Sequence, residues 1–147
     1  MEVVVDGKLS VVDNTPHSNS EEIAASAPEV LDVVSGPTQL APLGALFGTR
    51  SGDKGPNANL GIFARTPEAF AWLSSYLSIN KLKELMPEAE ERKIDRYDLP
   101  NLLSLNFIFH GLLEEGVAAS TRQDPQAKAL GEYLRAKVVE IPKNLMT

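Results

Sequence analysis

Residues 49 to 59, TRSGDKGPNAN, crowd Arg50, Ser51, Asp53, Lys54, Asn57 and Asn59 around Gly52, Gly55 and Pro56, between the apolar runs APLGALFG and LGIFAR. Glycine and proline at those positions forbid helix and favour a tight turn. The pattern predicts a polar loop joining two strands, Leu43 to Thr49 and Asn59 to Arg65. Glycines at 44, 48 and 61 weaken both strands but let another backbone come close. A loop with two glycines and two cations can offer main-chain N–H groups and point charges to one anion, as phosphate-binding nests do. In that reading Arg50 and Lys54 supply charge, Gly52 and Gly55 supply backbone donors, and Ser51, Asn57 and Asn59 supply hydrogen bonds, while Asp53 orients a cation. The segment is neither a P-loop nor a dinucleotide fingerprint, because it lacks GK[ST] and the GxGxxG spacing. An ordinary hairpin loop rich in turn formers is the plain alternative.

Composition narrows what surrounds this segment. A chain of 147 residues, 43% apolar, suffices for one domain with a core and is too short for two. It has no cysteine, which removes disulfides, thiolate chemistry and zinc–sulfur sites, and its two histidines, His17 and His110, lie far apart. No metal and no cofactor is implied. There is no run of ~18 apolar residues and no basic segment leading an apolar one, so the expectation is a soluble, cytoplasmic protein with no membrane partner. The net charge of −6 sits entirely in residues 1 to 40, which hold seven acids against Lys8, while residues 41 to 147 balance at 13 acids and 13 bases. A neutral body carries no basic stripe, which argues against nucleic acid.

In chain order, MEVVVDGKLSVVD predicts a short hairpin turning at Asp6 and Gly7. Residues 14 to 28 predict a linker with little to bury, and the ordered domain is expected to begin near residue 38, leaving 1 to 37 as an acidic, loosely attached segment. Thr66, Pro67 and Glu68 form a helix start, followed by Phe70, Leu73 and Leu77 at helical spacing, a break at Ser78 and a stop at Pro87. Trp72 is expected in the core or at an interface. Lys93 to Leu99 predicts a strand, and Leu103 to Phe109 the clearest one, with Leu103, Leu105, Phe107 and Phe109 alternating against Ser104, Asn106, Ile108 and His110. Asn106 and His110 thus share a side, and His110 is either a structural histidine or a general base. Asp124 and Pro125 predict the start of a last helix burying Ala127, Leu130 and Leu134, with Lys137 at its C-terminal end, before a final strand at 138 to 141. The resulting order is α+β: dropping the first strand leaves β, α, β, β, α, β, the split βαβ or ferredoxin-like arrangement, an antiparallel sheet with two helices on one face.

The runs GTRSGDKGPNANLG, RYDLPNLLSLNFIFHGLL, GV at 116 and 117, STRQDPQAKALGEYLR and VVEIP, in that order, resemble the C-terminal domain of the acyclic terpene utilisation (AtuA-like) family. The similarity covers about residues 37 to 145, and the large N-terminal domain usual in that family is missing here. Thr49 stands where the family often has Ala, and Pro56 intrudes between Gly55 and Asn57. The resemblance implies a ferredoxin-like domain linked to catabolism of acyclic isoprenoid acids as coenzyme A thioesters, and it supplies no catalytic residues. Three functions compete. The first is a binding or accessory domain whose 50-to-59 segment captures an anion or acyl-CoA, with Asn106, His110 and Arg122 as secondary candidates. The second is an assembly module pairing with another copy or a separately encoded subunit. The third is a hydrolase or isomerase using Asp53 and His110.

Overall fold

The computed structural model describes residues 2 to 11 and 36 to 146. The linker expected at 14 to 28, with His17, lies outside them. The first hairpin forms where Asp6 and Gly7 require it: β1 (Glu2–Val5) and β2 (Lys8–Val11) pair antiparallel across two residues with φ of 50° and 75°. Those positive angles suit an Asp-Gly turn.

The body is built on a four-stranded antiparallel sheet of β4 (Gly48–Lys54), β5 (Asn57–Phe63), β7 (Ser104–Phe109) and β6 (Ile94–Leu99), in that spatial order. Helices α1 (Pro67–Tyr76), α2 (Ile79–Leu85) and the short α3 (Leu130–Arg135) cover one face. Thr66 caps α1 by accepting the Ala69 N–H at 3.2 Å, and Ser78 caps α2 by accepting that of Lys81 at 3.1 Å, so the break at Ser78 is a fresh helix start. Cross-strand register stacks Ala58 beside Phe109, Leu60 beside Phe107 and Ile62 beside Leu105, all fully buried. Trp72 is buried and stacks on Tyr76 and Phe47, with ring centroids 4.6 and 5.8 Å apart. Leu103 lies just outside β7 with φ 48°, and its carbonyl accepts the Ala64 N–H.

The ferredoxin-like antiparallel sheet expected from the element order is present, and the structure adds which strands close it. The final strand, β8 (Val138–Pro142), pairs with β3 (Thr38–Pro42) in a separate ribbon. The place beside β5 is taken by β4, the strand that the order treats as extra. A two-residue turn brings β4 onto β5 with little loop-closure entropy, whereas β8 would have to arrive from far along the chain.

Three local expectations are corrected. Leu43 to Thr49 is not one strand, since Leu43–Ala45 forms a turn of 3-10 helix and β4 starts at Gly48. The polar segment is not a loop: it is strand through Lys54, and only Gly55 and Pro56 turn. Gly55 at φ 61° followed by a proline fixed near −65° gives the φ signs of a type II′ turn, which is why so short a connection suffices. The last helix starts at Leu130, not Asp124; the Asp124 carboxylate instead accepts the Lys128 and Ala129 N–H groups at 2.8 and 2.9 Å, and Ala127 has φ 51°. A left-handed residue and a side chain competing for backbone donors stop the helix from extending backwards. Ala127, Leu130 and Leu134 are nevertheless buried, and Lys137 lies over the Tyr133 ring at 3.8 Å.

Candidate functional site

Because the 50-to-59 segment is strand, its side chains alternate between the two faces of the sheet. Ser51 and Asp53 stand opposite Leu60 and Ala58, on the helix-covered side. Arg50, Gly52 and Lys54 stand opposite Gly61, Asn59 and Asn57, on the other side, and the register continues to Asn106 beside Gly61 and Ile108 beside Asn59. The expected set is thus divided by the pleat.

On the covered side Ser51 knits the fold. Its hydroxyl donates to the Lys128 carbonyl at 3.2 Å and accepts the Gly131 N–H at 2.9 Å, fastening α3 to β4. Glycine at 131 permits that approach, since a Cβ there would lie 2.7 Å from Thr49 Oγ1. Asn57, on the open side, is also structural in part, its Oδ1 accepting the Gly111 N–H at 2.9 Å where the chain turns after β7 at φ 65°.

Above Gly52 the open face gathers positive charge. A Cβ added to Gly52 would lie 3.3 Å from Lys128 Nζ and 3.7 Å from Asn59 Oδ1, so the missing side chain leaves a hollow that the Lys128 ammonium enters from the edge of the sheet. Arg50 and Lys54 flank it two residues away on either side, about 7 Å along the strand. Among the described residues none of these three cations takes part in an ion pair. Arg50 and Lys128 also line a cleft of about 350 Å³ with Thr49, Ser51, Gly131 and Glu132. Three unpaired cations around a glycine, with an amide beside them, can receive the oxygens of a phosphate or carboxylate.

The model of the AtuA ferredoxin-like domain matches residues 41–140. The chain belongs to this family. Searches of curated proteins and of solved structures gave no match. The matched span runs from β3 to β8, so the sheet, its helices and the cations around Gly52 all fall within the AtuA ferredoxin-like domain.

The remaining candidates lie apart from those cations. His110 continues the ladder beyond β7, donating its N–H to the Lys93 carbonyl at 3.0 Å, and shares the open face with Asn106. Its Nε2 lies 2.6 Å from Asp95 Oδ2, with Lys93 Nζ 3.5 Å from the other carboxylate oxygen. The hydrogen bond from His110 holds the Asp95 carboxyl below its ordinary range; burial opposes it less strongly, and Lys93 adds a lesser lowering. Asp53, by contrast, faces the helices, so the Asp53–His110 pairing that a hydrolase would need is excluded by the pleat. Arg122 pairs with Glu88 at 2.7 Å on a different cleft, of about 570 Å³, shared with Asp124 and Tyr133. Sequence reasoning missed Lys128: it lies 76 positions from Gly52, and only the docking of α3 on β4 brings the two together. Among the described residues no cluster of three or more His, Asp or Glu could hold a metal ion, and no helix is long and apolar enough to cross a membrane.

Proposed function

We propose that this AtuA-like domain is a binding or accessory domain that captures the anionic groups of a coenzyme A thioester, in cytoplasmic catabolism of acyclic isoprenoid acids. The observation that carries the proposal is Lys128 Nζ standing over Gly52, with Arg50 and Lys54 at the next same-face positions of β4 and none of the three in an ion pair among the described residues. A phosphate-bearing ligand would supply the opposite charge that these cations lack among the described residues. The Asn59 amide lies beside the Lys128 ammonium over Gly52 and adds a hydrogen-bonding group to it. The domain's task in this reading is capture and presentation, with no bond made or broken.

The test is a thermal-shift titration of the purified chain with coenzyme A, an acyl-CoA and inorganic phosphate, repeated at raised salt and with Lys54→Ala and Lys128→Ala. Coenzyme A should raise the midpoint of the parent, less so at high salt, and each substitution should remove most of that rise. Ligand-free stability should change by no more than about 0.5 kcal/mol, since Lys54 and Lys128 are exposed. A parent that responds to none of the three, or variants that respond as the parent does, would overturn the proposal.

The same open face also favours an assembly role, because Phe63, Tyr97 and Leu99 lie on it 42%, 51% and 39% exposed. A second copy or a separately encoded subunit would cover them. Light scattering of the parent beside Tyr97→Glu decides this reading: a dimer lost on substitution supports it, and a monomeric parent refutes self-assembly.

A further inference from the structure

At the other end of β4 from Lys54 the fold leaves a second cleft, of about 530 Å³, between the Leu43–Ala45 turn, the start of β4, the beginning of α1 and the C-terminal residues Leu145 and Met146. Phe47, Phe63, Leu145 and Met146 give it an apolar wall, and Arg65, Arg135 and Thr49 give it a polar one. Two polar atoms of that second wall, Thr49 Oγ1 and Arg135 Nε, are buried without a hydrogen-bond partner. Arg135 spends Nη1 on both carboxylate oxygens of Glu132, at 3.0 and 3.1 Å, which offsets its charge, and its Nε–H is left without a partner beside Gly44. Arg65 is exposed and belongs to no ion pair among the described residues. Buried donors left unpaired are costly, and a ligand oxygen reaching them recovers that cost.

We infer that this cleft binds a small organic carboxylate with an apolar body. The carboxylate is held by Arg65, the Arg135 Nε–H and the Thr49 hydroxyl, and the hydrocarbon lies against Phe47, Phe63, Leu145 and Met146. One unpaired cation suits a single negative charge, and Glu132 beside Arg135 disfavours a more highly charged head. The apolar wall excludes small inorganic anions as the preferred occupant, because they cannot desolvate it. Of the residues lining this cleft only Thr49 also borders the cleft of Arg50 and Lys128, and neither Lys54 nor Lys128 lines it, so the inference does not rest on the coenzyme A reading.

Hexanoate is the probe, with hexan-1-ol and acetate as matched controls, and binding is followed by amide chemical-shift titration of the full chain. Hexanoate should saturate and shift the amides of Thr49, Arg65 and Met146, while the alcohol and acetate bind far more weakly. Arg65→Gln should weaken hexanoate about tenfold or more, the loss expected for one charge-assisted hydrogen bond. Thr49→Val should also weaken it while leaving the ligand-free melting midpoint equal or higher, because the buried hydroxyl is removed. A merely structural Thr49 would move both readouts the same way. Lys54→Ala and Lys128→Ala should leave hexanoate binding unchanged. Equal binding of hexanoate and hexan-1-ol, undiminished binding by folded Arg65→Gln, or no saturation at millimolar hexanoate would each overturn the inference.

Discussion

The two faces of the β4–β5–β7–β6 sheet are made from the same strands and differ in what their polar atoms do. On the helix-covered face Leu60, Ile62, Leu105, Phe107 and Phe109 are fully excluded from solvent, and Ser51 and Arg96 there are tied into the packing. Ser51 bonds to α3, and Arg96 donates to the Ser74 and Leu77 carbonyls at 2.9 and 3.2 Å, binding β6 to the end of α1. On the open face Arg50, Lys54, Phe63, Tyr97 and Leu99 are exposed, and the two cations take part in no ion pair among the described residues. Alternate residues of β4 therefore carry different burdens: 51 docks a helix, while 50, 52 and 54 shape a surface. A one-residue slip of register would exchange the two sets, so the core fixes the surface.

The largest expected effect tests the covered face. Phe107→Ala should cost about 3 to 5 kcal/mol in urea unfolding, the range for truncating a buried aromatic, whereas Tyr97→Ala on the open face should cost about 1 kcal/mol or less. Equal losses would erase the distinction between the faces. Next comes β4 itself, where neighbouring residues should separate. Ser51→Ala removes the acceptor of the Gly131 N–H and should destabilise the ligand-free protein by about 1 to 3 kcal/mol, with no loss of coenzyme A response beyond that stability change. If Ser51→Ala abolished ligand response at unchanged stability, the covered side of β4 would belong to the site as well.

The smallest effect concerns the Asp95–His110 pair on the open face. The folded carboxyl is held below its ordinary value, so its contribution is fully present above the unfolded value of about 3.9 and is lost as pH falls through the lower folded value. Asp95→Asn should therefore be less stable than the parent at pH 6, and the gap should narrow below about pH 4. A gap that stays constant down to pH 2.5 would mean that His110 does not favour the ionised carboxylate.

Much of this was legible in the chain because it depends on neighbours in sequence. The Asp6-Gly7 turn, the Thr66 and Ser78 caps and the period-two pattern of β7 are local, and each appears where the residues require it. The 50-to-59 segment reads as a loop in the sequence and is strand in the fold, because a strand at the edge of a sheet tolerates polar residues on both faces when one face hydrogen-bonds to a helix. Ser51 and Lys54 look equivalent by type, and only the pleat assigns one to packing and the other to solvent.

By itself the sequence determined the first hairpin, the start of α1, the alternation of β7 and the apolar periodicities, all of which follow from backbone sterics and hydrophobic spacing within about 20 residues. Tertiary structure decided that β4 closes the sheet while β8 pairs with β3, and that Lys128 enters the hollow over Gly52. It also decided that Asp53 and His110 face opposite ways. The reason is physical: strand partners and cross-chain charges are selected by competing long-range closures and by which face finds a helix to cover it, and no local pattern encodes that competition.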